Sequence, residues 1–197
     1  MKPRQKEYFT KSYKTDKSSE YGKMAGAFVD YYDGNKALES KDYDKAMKLF
    51  QNSANVASDF TLVNKASAGM AKVYYLKQDY TTAWNTIKNV YAKDKSYASE
   101  YGTYGYAYAK TLINNGKSEE GLKLYNSISK FTNGANLSDS TYAQAVKLGE
   151  SGKYDEAMTM LNSIKGNNKK AATLYNQMKK FKHKVRFGQE HGNIQVR

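Results

Sequence analysis

The sequence predicts an all-α protein built from repeated helix hairpins. Four short polar turns each lead into a segment that carries a small residue at a fixed position, and these landmark residues are Ala46, Ala83, Gly121 and Ala157. They lie 37, 38 and 36 residues apart, a period typical of helical solenoids. Larger or packing residues follow four and seven positions after each landmark, which places them on one face of an α-helix. We therefore predict about four antiparallel helix hairpins.

Each predicted hairpin also has a small residue near the end of its first helix. The small residues are Gly34, Ala71, Ala109 and Ala145. Three positions after each of them, on the same face of the helix, stand Ala37, Tyr74, Leu112 and Leu148. Glycine or alanine at this place lets the two helices of a hairpin approach closely. The first helix of the third hairpin also carries tyrosines at helical spacing, which are Tyr97, Tyr101, Tyr104 and Tyr108. We expect most of them to lie in the core.

The two ends of the chain differ from the repeats. Residues 1–18 are rich in Lys, Ser and Thr without periodicity, so we expect a basic N-terminal arm that is disordered unless a partner holds it. The repeat domain is expected over residues 19–182 and ends in a capping helix. The apolar residues of that helix recur at helical spacing and are Ala171, Leu174, Tyr175, Met178 and Phe181. The pattern is lost at Gly188 and Gly192, so residues 183–197 are expected to form a basic extended tail.

This arrangement resembles the tetratricopeptide repeat over about residues 24–165. The second and fourth copies match best, at Met70, Ala71, Tyr74, Tyr80, Ala83 and Ile87, and at Ala145, Leu148, Gly152, Tyr154, Ala157 and Leu161. The first copy has Ala37 where a larger residue is usual, and the third has Ser118 and Gly121 in place of the turn tyrosine and the alanine. The resemblance implies a right-handed α-solenoid whose concave wall, formed by the first helices, binds extended peptides or helices.

Counting back from the landmarks places a set of residues on that concave wall. The expected groove residues are Tyr31, Asn35, Lys72, Tyr75, Tyr106, Lys110 and Tyr142. Tyrosine provides contact area at a low cost in conformational entropy, and the two lysines supply positive charge. The groove therefore suits a peptide with aromatic or apolar anchors and a carboxylate. The alternative is that these are ordinary exposed side chains.

The net charge of +13 lies mainly at the two ends. Residues 1–23 carry +4 and residues 165–197 carry +8, whereas the repeat core is nearly neutral. Such ends attract phosphate backbones, acidic proteins or anionic surfaces through a long-range interaction that salt screens. The predicted contacts of the C-terminal end are Lys179, Lys180, Lys182, Lys184 and Arg186. The alternative is that the charged ends only keep the chain in solution.

The residue inventory contains no catalytic constellation. The two histidines, His183 and His191, both lie in the C-terminal segment, so none is available in the repeats to activate a serine. Glycines are single and form no phosphate-binding loop, and cysteine is absent, which fits a reducing compartment. We expect no enzymatic activity, no cofactor and no metal site. With no secretory signal or membrane span in the sequence, we expect a cytoplasmic protein.

Two functions remain open. The first is a non-enzymatic adaptor or scaffold that holds a partner protein in its groove while the basic termini contact a second surface. The second is a component of a large assembly, such as a virion, a ribosome-associated particle or a secretion or motility machine, or a nucleic-acid-associated protein that uses its basic arms. The sequence identifies neither the partner nor the oligomeric state.

Overall fold

A computed structural model of the chain describes residues 3–132 and 137–192, with side chains over 4–132 and 137–182. All regular secondary structure in these ranges is helical. The helices are α1 (Pro3–Thr15), α2 (Glu20–Glu39), α3 (Tyr43–Val56), α4 (Phe60–Leu76), α5 (Tyr80–Lys93), α6 (Ala98–Asn114), α7 (Ser118–Ile128), α8 (Ser138–Glu150), α9 (Tyr154–Ile164) and α10 (Lys169–Gly192). Single turns of 3₁₀ helix precede α6 and follow α7. The predicted all-α fold of helix hairpins is confirmed.

The described residues form two compact units. The first contains residues 3–108 and 130–132, and the second contains residues 109–129 and 137–192. Within the first unit α2 packs on α3 and α4 packs on α5, while α3 and α4 join these two hairpins. Within the second unit α9 packs on both α8 and α10. The four landmark residues of the repeats are all buried, so each marks a contact between helices.

All four hairpin turns share one backbone conformation. The residue five positions before each landmark has a positive φ, and these residues are Lys41 (60°), Gln78 (63°), Gly116 (83°) and Gly152 (76°). In each turn the next residue donates its backbone N–H to the carbonyl five positions earlier, as in Asp42 to Ala37 at 2.8 Å. This pair of features ends a helix by satisfying its last carbonyl groups. The repeated turn therefore sets the end of every first helix.

The starts of the second helices divide the repeats into two pairs. Asp42 accepts a hydrogen bond from the backbone N–H of Lys45 at 3.2 Å, and Asp79 accepts one from Thr82 at 3.0 Å. The third and fourth turns have a lysine at this place and no side-chain cap. Because an N-cap carboxylate satisfies a free backbone donor, α3 and α5 begin with a contact that α7 and α9 lack.

Glycines allow the closest helix contacts. Phe50 of α3 is fully buried, and its ring lies between two glycines of the neighbouring helices. A Cβ built on Gly34 would come within 2.8 Å of the ring, and one on Gly69 within 2.7 Å. In the second unit, a Cβ on Gly121 would lie 2.7 Å from the carbonyl oxygen of Ala109. Only glycine fits these places without movement of the helices.

The expectation of a disordered N-terminal arm is wrong, because residues 3–15 form α1. This helix packs on α2, where the rings of Phe9 and Phe28 stack with centroids 4.6 Å apart and planes at 9°. Lys6 forms an ion pair with Asp33. Burying the apolar surface of Phe9 against α2 stabilises a helix that is too short to be stable alone. A tertiary contact therefore orders the segment without a partner.

The expectation of an extended C-terminal tail is also wrong for most of its length. Helix α10 continues to Gly192 and includes Gly188, while residues 193–197 lie outside the described residues. A single glycine inside a helix costs only about 1 kcal/mol relative to alanine. This cost is too small to end a helix whose neighbouring residues favour it. The boundaries of the predicted repeat domain, 19 and 182, remain a prediction.

Replacing Gly69 by alanine should destabilise the first unit. The added Cβ would overlap the buried ring of Phe50, and overpacking of this kind costs about 1–3 kcal/mol. Denaturant unfolding would measure the change in the free energy of unfolding. Gly166→Ala is the control, because a Cβ at Gly166 meets nothing within 4 Å. Equal stability of Gly69→Ala and the unchanged chain would contradict the described contact.

Replacing Gln78, whose φ is 63°, by glycine should stabilise the protein by about 0.5–1 kcal/mol. Glycine relieves a left-handed strain of about 1–2 kcal/mol, and this gain exceeds the cost of about 0.5–1 kcal/mol that its greater freedom in the unfolded chain imposes. The opposite change, Gly116→Ala, should destabilise by about 1 kcal/mol. No atom lies within 4 Å of a Cβ at Gly116, so this variant isolates the backbone effect. Thermal unfolding of both variants would measure these shifts, and a lower melting temperature for Gln78→Gly would contradict the conformation.

Candidate functional site

The first helices of the first unit bring several tyrosines together. The rings of Tyr75 in α4 and Tyr104 in α6 stack with centroids 4.5 Å apart and planes at 19°. Tyr31 in α2 packs on the ring of Phe50 at 5.9 Å. Tyr31, Tyr75 and Tyr97 remain half-buried, whereas Tyr104 is only 5% exposed. We refer to Tyr31, Tyr75, Tyr97 and Tyr104 as the tyrosine cluster.

Burial and nearby groups raise the pKa values of two cluster residues, Tyr97 and Tyr104. Burial, followed by the nearby Tyr31 and then Asp94 and Glu100, raises the pKa of Tyr97 to about 12. Burial, followed by Glu100 and Tyr75, raises the pKa of Tyr104 well above its ordinary value. Tyr31 of α2 thus contributes to the raised pKa of Tyr97, just before α6, and Tyr75 of α4 contributes to that of Tyr104 within α6. Because both phenols stay protonated at neutral pH, they can donate hydrogen bonds.

Five of the predicted groove residues lie in the first unit. Tyr31 and Tyr75 belong to the tyrosine cluster, and the side-chain amide of Asn35 donates to the backbone carbonyl of Tyr31 at 2.8 Å. Lys72, one helical turn before Tyr75, is exposed, and Tyr106 is half-buried. The structure therefore places Lys72 and Tyr75 on neighbouring turns of α4, and Tyr31 and Asn35 on neighbouring turns of α2.

The other two predicted groove residues lie in the second unit. Lys110 is exposed near the end of α6, and Tyr142 of α8 is half-buried. Tyr142 lines a cavity of about 290 Å³ together with Lys169 and Lys170 of α10. A phenol beside two ammonium groups is suited to an anionic or hydrogen-bonding ligand.

The predicted basic contacts lie on α10. Lys179 and Lys180 are exposed, whereas Lys182 forms an ion pair with Asp155 of α9. Positions 184 and 186 lie within the same helix. The rings of Phe181 and Tyr154 are 52% and 38% exposed and pack against each other at 5.5 Å. The exposed lysines of α10 thus share the helix with Phe181, which pairs with Tyr154 of α9.

Sequence reasoning missed a basic cavity between α1 and α2. Its volume is about 540 Å³, and its lining includes Lys6, Lys11, Lys14, Tyr32 and Lys36. The Nζ atoms of Lys6 and Lys36 lie 4.9 and 5.5 Å from the centroid of the Tyr32 ring, within the range of cation–π attraction. The available signal was the spacing of the lysines, since Lys14 lies three residues after Lys11 and eight after Lys6. These spacings place side chains on one face only if the segment is a helix, and the sequence predicted it to be disordered.

The structure places no candidate metal centre in the part of the chain whose side chains it describes, since no three His, Cys, Asp or Glu residues are grouped there. Over the same part of the chain, no helix is both long and apolar enough to cross a membrane.

Comparisons with known proteins identify no family for the chain. No family profile and no curated protein matches it. Among solved structures, the chain is similar to YrrB, described as a TPR protein with an unusual peptide-binding site, at 14% sequence identity and a TM-score of 0.46. The similarity covers 87% of this chain and 81% of that chain. The repeat character of this protein rests on its own helices and turns.

The raised pKa of Tyr97 predicts a loss of stability at high pH. Between its ordinary value of 10.0 and about 12, the unfolded chain loses the Tyr97 proton while the folded chain keeps it. The unfolded state then binds fewer protons, so the free energy of unfolding falls as the pH rises through this range. Tyr97→Phe should show a shallower fall in unfolding experiments across the range. Tyr21→Phe is the control because that ring is 87% exposed, and identical slopes for both variants would contradict the description.

Proposed function

We propose that this protein is a non-enzymatic protein-interaction module. It binds a segment of a partner protein on the face that carries the tyrosine cluster and Lys72, and its basic helices contact a second surface. The observation that carries this proposal is the Tyr75–Tyr104 stack, at a centroid distance of 4.5 Å. Tyr75 keeps part of its surface exposed, so a ring held rigid by its neighbour is available to a partner.

A rigid tyrosine surface is suited to binding protein segments. Tyrosine buries a large area at a low cost in conformational entropy, and aromatic residues dominate the energetics of many interfaces. Because packing on Phe50 and Tyr104 already restricts Tyr31 and Tyr75, little freedom is left to lose on binding. The hydroxyl of the half-buried Tyr97 can donate to carbonyl groups of the partner.

The charge beside the cluster favours a particular kind of partner. Lys72 is exposed one turn from Tyr75, and a lysine attracts carboxylate groups more strongly when neighbouring apolar surface excludes water. Glu100 lies among the tyrosines and acts on both Tyr97 and Tyr104. A segment with an aromatic or apolar anchor and a carboxylate that approaches Lys72 fits this distribution.

A second candidate function is association with nucleic acid or another anionic component of a large assembly. The basic cavity between α1 and α2 supports it, because several lysines surround the partly exposed ring of Tyr32. Lysines can contact phosphates, and a tyrosine ring can stack on a base. The exposed lysines of α10 add a second basic surface.

Affinity capture from native lysate would test the two functions. The unchanged chain is compared with Lys72→Glu and with Lys48→Glu, an exposed lysine of α3 that matches it in charge. Capture is carried out with and without nuclease, and at low and moderate salt. We expect the unchanged chain to capture a discrete set of proteins. Lys72→Glu should capture at least about tenfold less of this set, since reversing a charge at an interface costs a few kcal/mol, whereas Lys48→Glu should capture the same amount.

The same experiment can reject the proposal. Equal loss in both variants would indicate that overall charge rather than the tyrosine face controls binding. Retention that disappears on nuclease treatment and falls steeply between low and moderate salt would support the nucleic-acid function instead. Capture that resists nuclease but survives Lys72→Glu unchanged would remove the tyrosine face as the binding surface.

A further inference from the structure

A second cavity adjoins the basic cavity, at the end of α1 and the start of α2. Its volume is about 420 Å³, and its lining includes Tyr8, Lys11, Asp16 and Tyr21. We call it the aromatic cavity. Because Lys11 also lines the basic cavity, the two cavities meet at this residue. No member of the tyrosine cluster lines either of them, so this surface is separate from the face proposed above for protein binding.

The two rings of the aromatic cavity are open to a ligand. Tyr8 is 71% exposed and Tyr21 is 87% exposed, the two highest values among the exposed large hydrophobic residues described. Single exposed aromatic residues are common, but two of them on one cavity offer two ring surfaces to a flat ligand. The ring of Tyr32 in the basic cavity is less available, because the ammonium groups of Lys6 and Lys36 already lie near it.

The basic cavity supplies positive charge beside these rings. Four lysines and one carboxylate line it, which are Lys6, Lys11, Lys14, Lys36 and Glu7. Lys6 is paired with Asp33. In the part of the chain whose side chains are described, Lys11, Lys14 and Lys36 form no ion pair. Ammonium groups gathered in this way repel one another, so a ligand with several phosphate groups would relieve this repulsion.

Asp16 indicates which part of such a ligand enters the aromatic cavity. Its carboxylate accepts hydrogen bonds from the backbone N–H groups of Ser19 at 3.1 Å and Ser18 at 3.0 Å, and from the Ser18 hydroxyl at 2.9 Å. These bonds lower the pKa of Asp16 to about 2, so the carboxylate is charged at neutral pH. It repels phosphate. The aromatic cavity therefore suits a flat, uncharged group, and the basic cavity suits the anionic part of the same ligand.

We propose that the two cavities bind a single strand of nucleic acid, with its phosphates on the lysines of the basic cavity and its bases on Tyr8 and Tyr21. The inference rests on the second candidate function above, whose site and ligand it specifies. Proteins that bind single strands combine a positively charged groove with aromatic side chains on which bases stack. Because every base has an aromatic face, little sequence preference is expected.

The shape of this surface favours a single strand over a duplex or a lipid surface. In a duplex the bases stack on one another, so their faces are not available to Tyr8 and Tyr21. A lipid surface is broad, whereas the lysines here line a cavity that a narrow strand can enter. A strand also carries charge and aromatic rings in alternation along its length, which matches a basic cavity next to an aromatic one.

Fluorescence anisotropy with the purified full chain and two labelled probes would test the proposal. One probe is an oligothymidylate of about 12 nucleotides, within the range of single-strand site sizes. The other is an abasic strand of the same length, which keeps the phosphates and lacks the bases. We expect the oligothymidylate to bind at least about fivefold more tightly, since stacking on an aromatic side chain strengthens binding at least this much.

The dependence on salt measures the phosphate contacts. If Lys11, Lys14 and Lys36 each neutralise one phosphate, the logarithm of the association constant should fall against the logarithm of the salt concentration with a slope of about −2. Lys14→Gln should weaken binding of both probes and make this slope shallower by about 0.7. Lys48→Gln, at an exposed position of α3, is the matched control and should leave the slope unchanged.

The tyrosine variants separate stacking from charge. Tyr8→Ala and Tyr21→Ala should each weaken binding of the oligothymidylate about fivefold or more and leave binding of the abasic strand unchanged. Phe60→Ala is the control, because that ring is 55% exposed and lines neither cavity. It should bind both probes as the unchanged chain does. The melting temperature of each variant would show that it remains folded.

Several results would overturn the proposal. Equal affinity for the two probes, or tighter binding of the matching duplex, would exclude stacking of bases. Binding that survives Tyr8→Ala and Tyr21→Ala but is lost in Lys179→Gln would place the strand on α10, so the second candidate function would stand without this site. Absence of binding to either strand at low salt would remove both. Retention on vesicles of phosphatidylglycerol and phosphatidylcholine in place of the strand, with the same dependence on Tyr8 and Tyr21, would make this a lipid-binding surface.

Discussion

The close approach of α2, α3 and α4 around Phe50 supports the rest of the first unit. Phe50 is fully buried, and its ring fills the space that glycine leaves at positions 34 and 69. Since a larger residue at either glycine would separate the helices, this contact holds α2 beside α4. It also provides the surface on which Tyr31 packs. The position of Tyr31 in the tyrosine cluster therefore depends on two glycines of the helices beside Phe50.

The hairpin turns provide the second constraint, because they repeat one backbone geometry on different sequences. Lysine, glutamine and two glycines adopt the same left-handed conformation, and the hydrogen bond that closes the turn varies only from 2.8 to 2.9 Å. A constant turn fixes which face of each second helix meets its first helix. Side chains at equivalent positions of the repeats can then differ freely.

Much of the positive charge lies on the first and last helices, at positions where it does not conflict with packing. The lysines of α1 and α10 are mostly exposed, and the ion pairs of Lys77 and Lys182 lie at the surface, where such pairs contribute little to stability. The helices would thus fold with fewer charges. In the second candidate function proposed above, these basic residues contact anionic partners.

The sequence alone determined the helix hairpins, because small residues, polar turns and helical periodicity act over a few neighbouring positions. It also indicated Tyr31, Lys72 and Tyr75 by register. It could not reveal that α1 is ordered, since this depends on Phe9 meeting Phe28 across two helices. The stacking of Tyr75 on Tyr104 was likewise decided only by the tertiary structure. It arises from the distance between helices, which depends on packing of residues far apart in the chain.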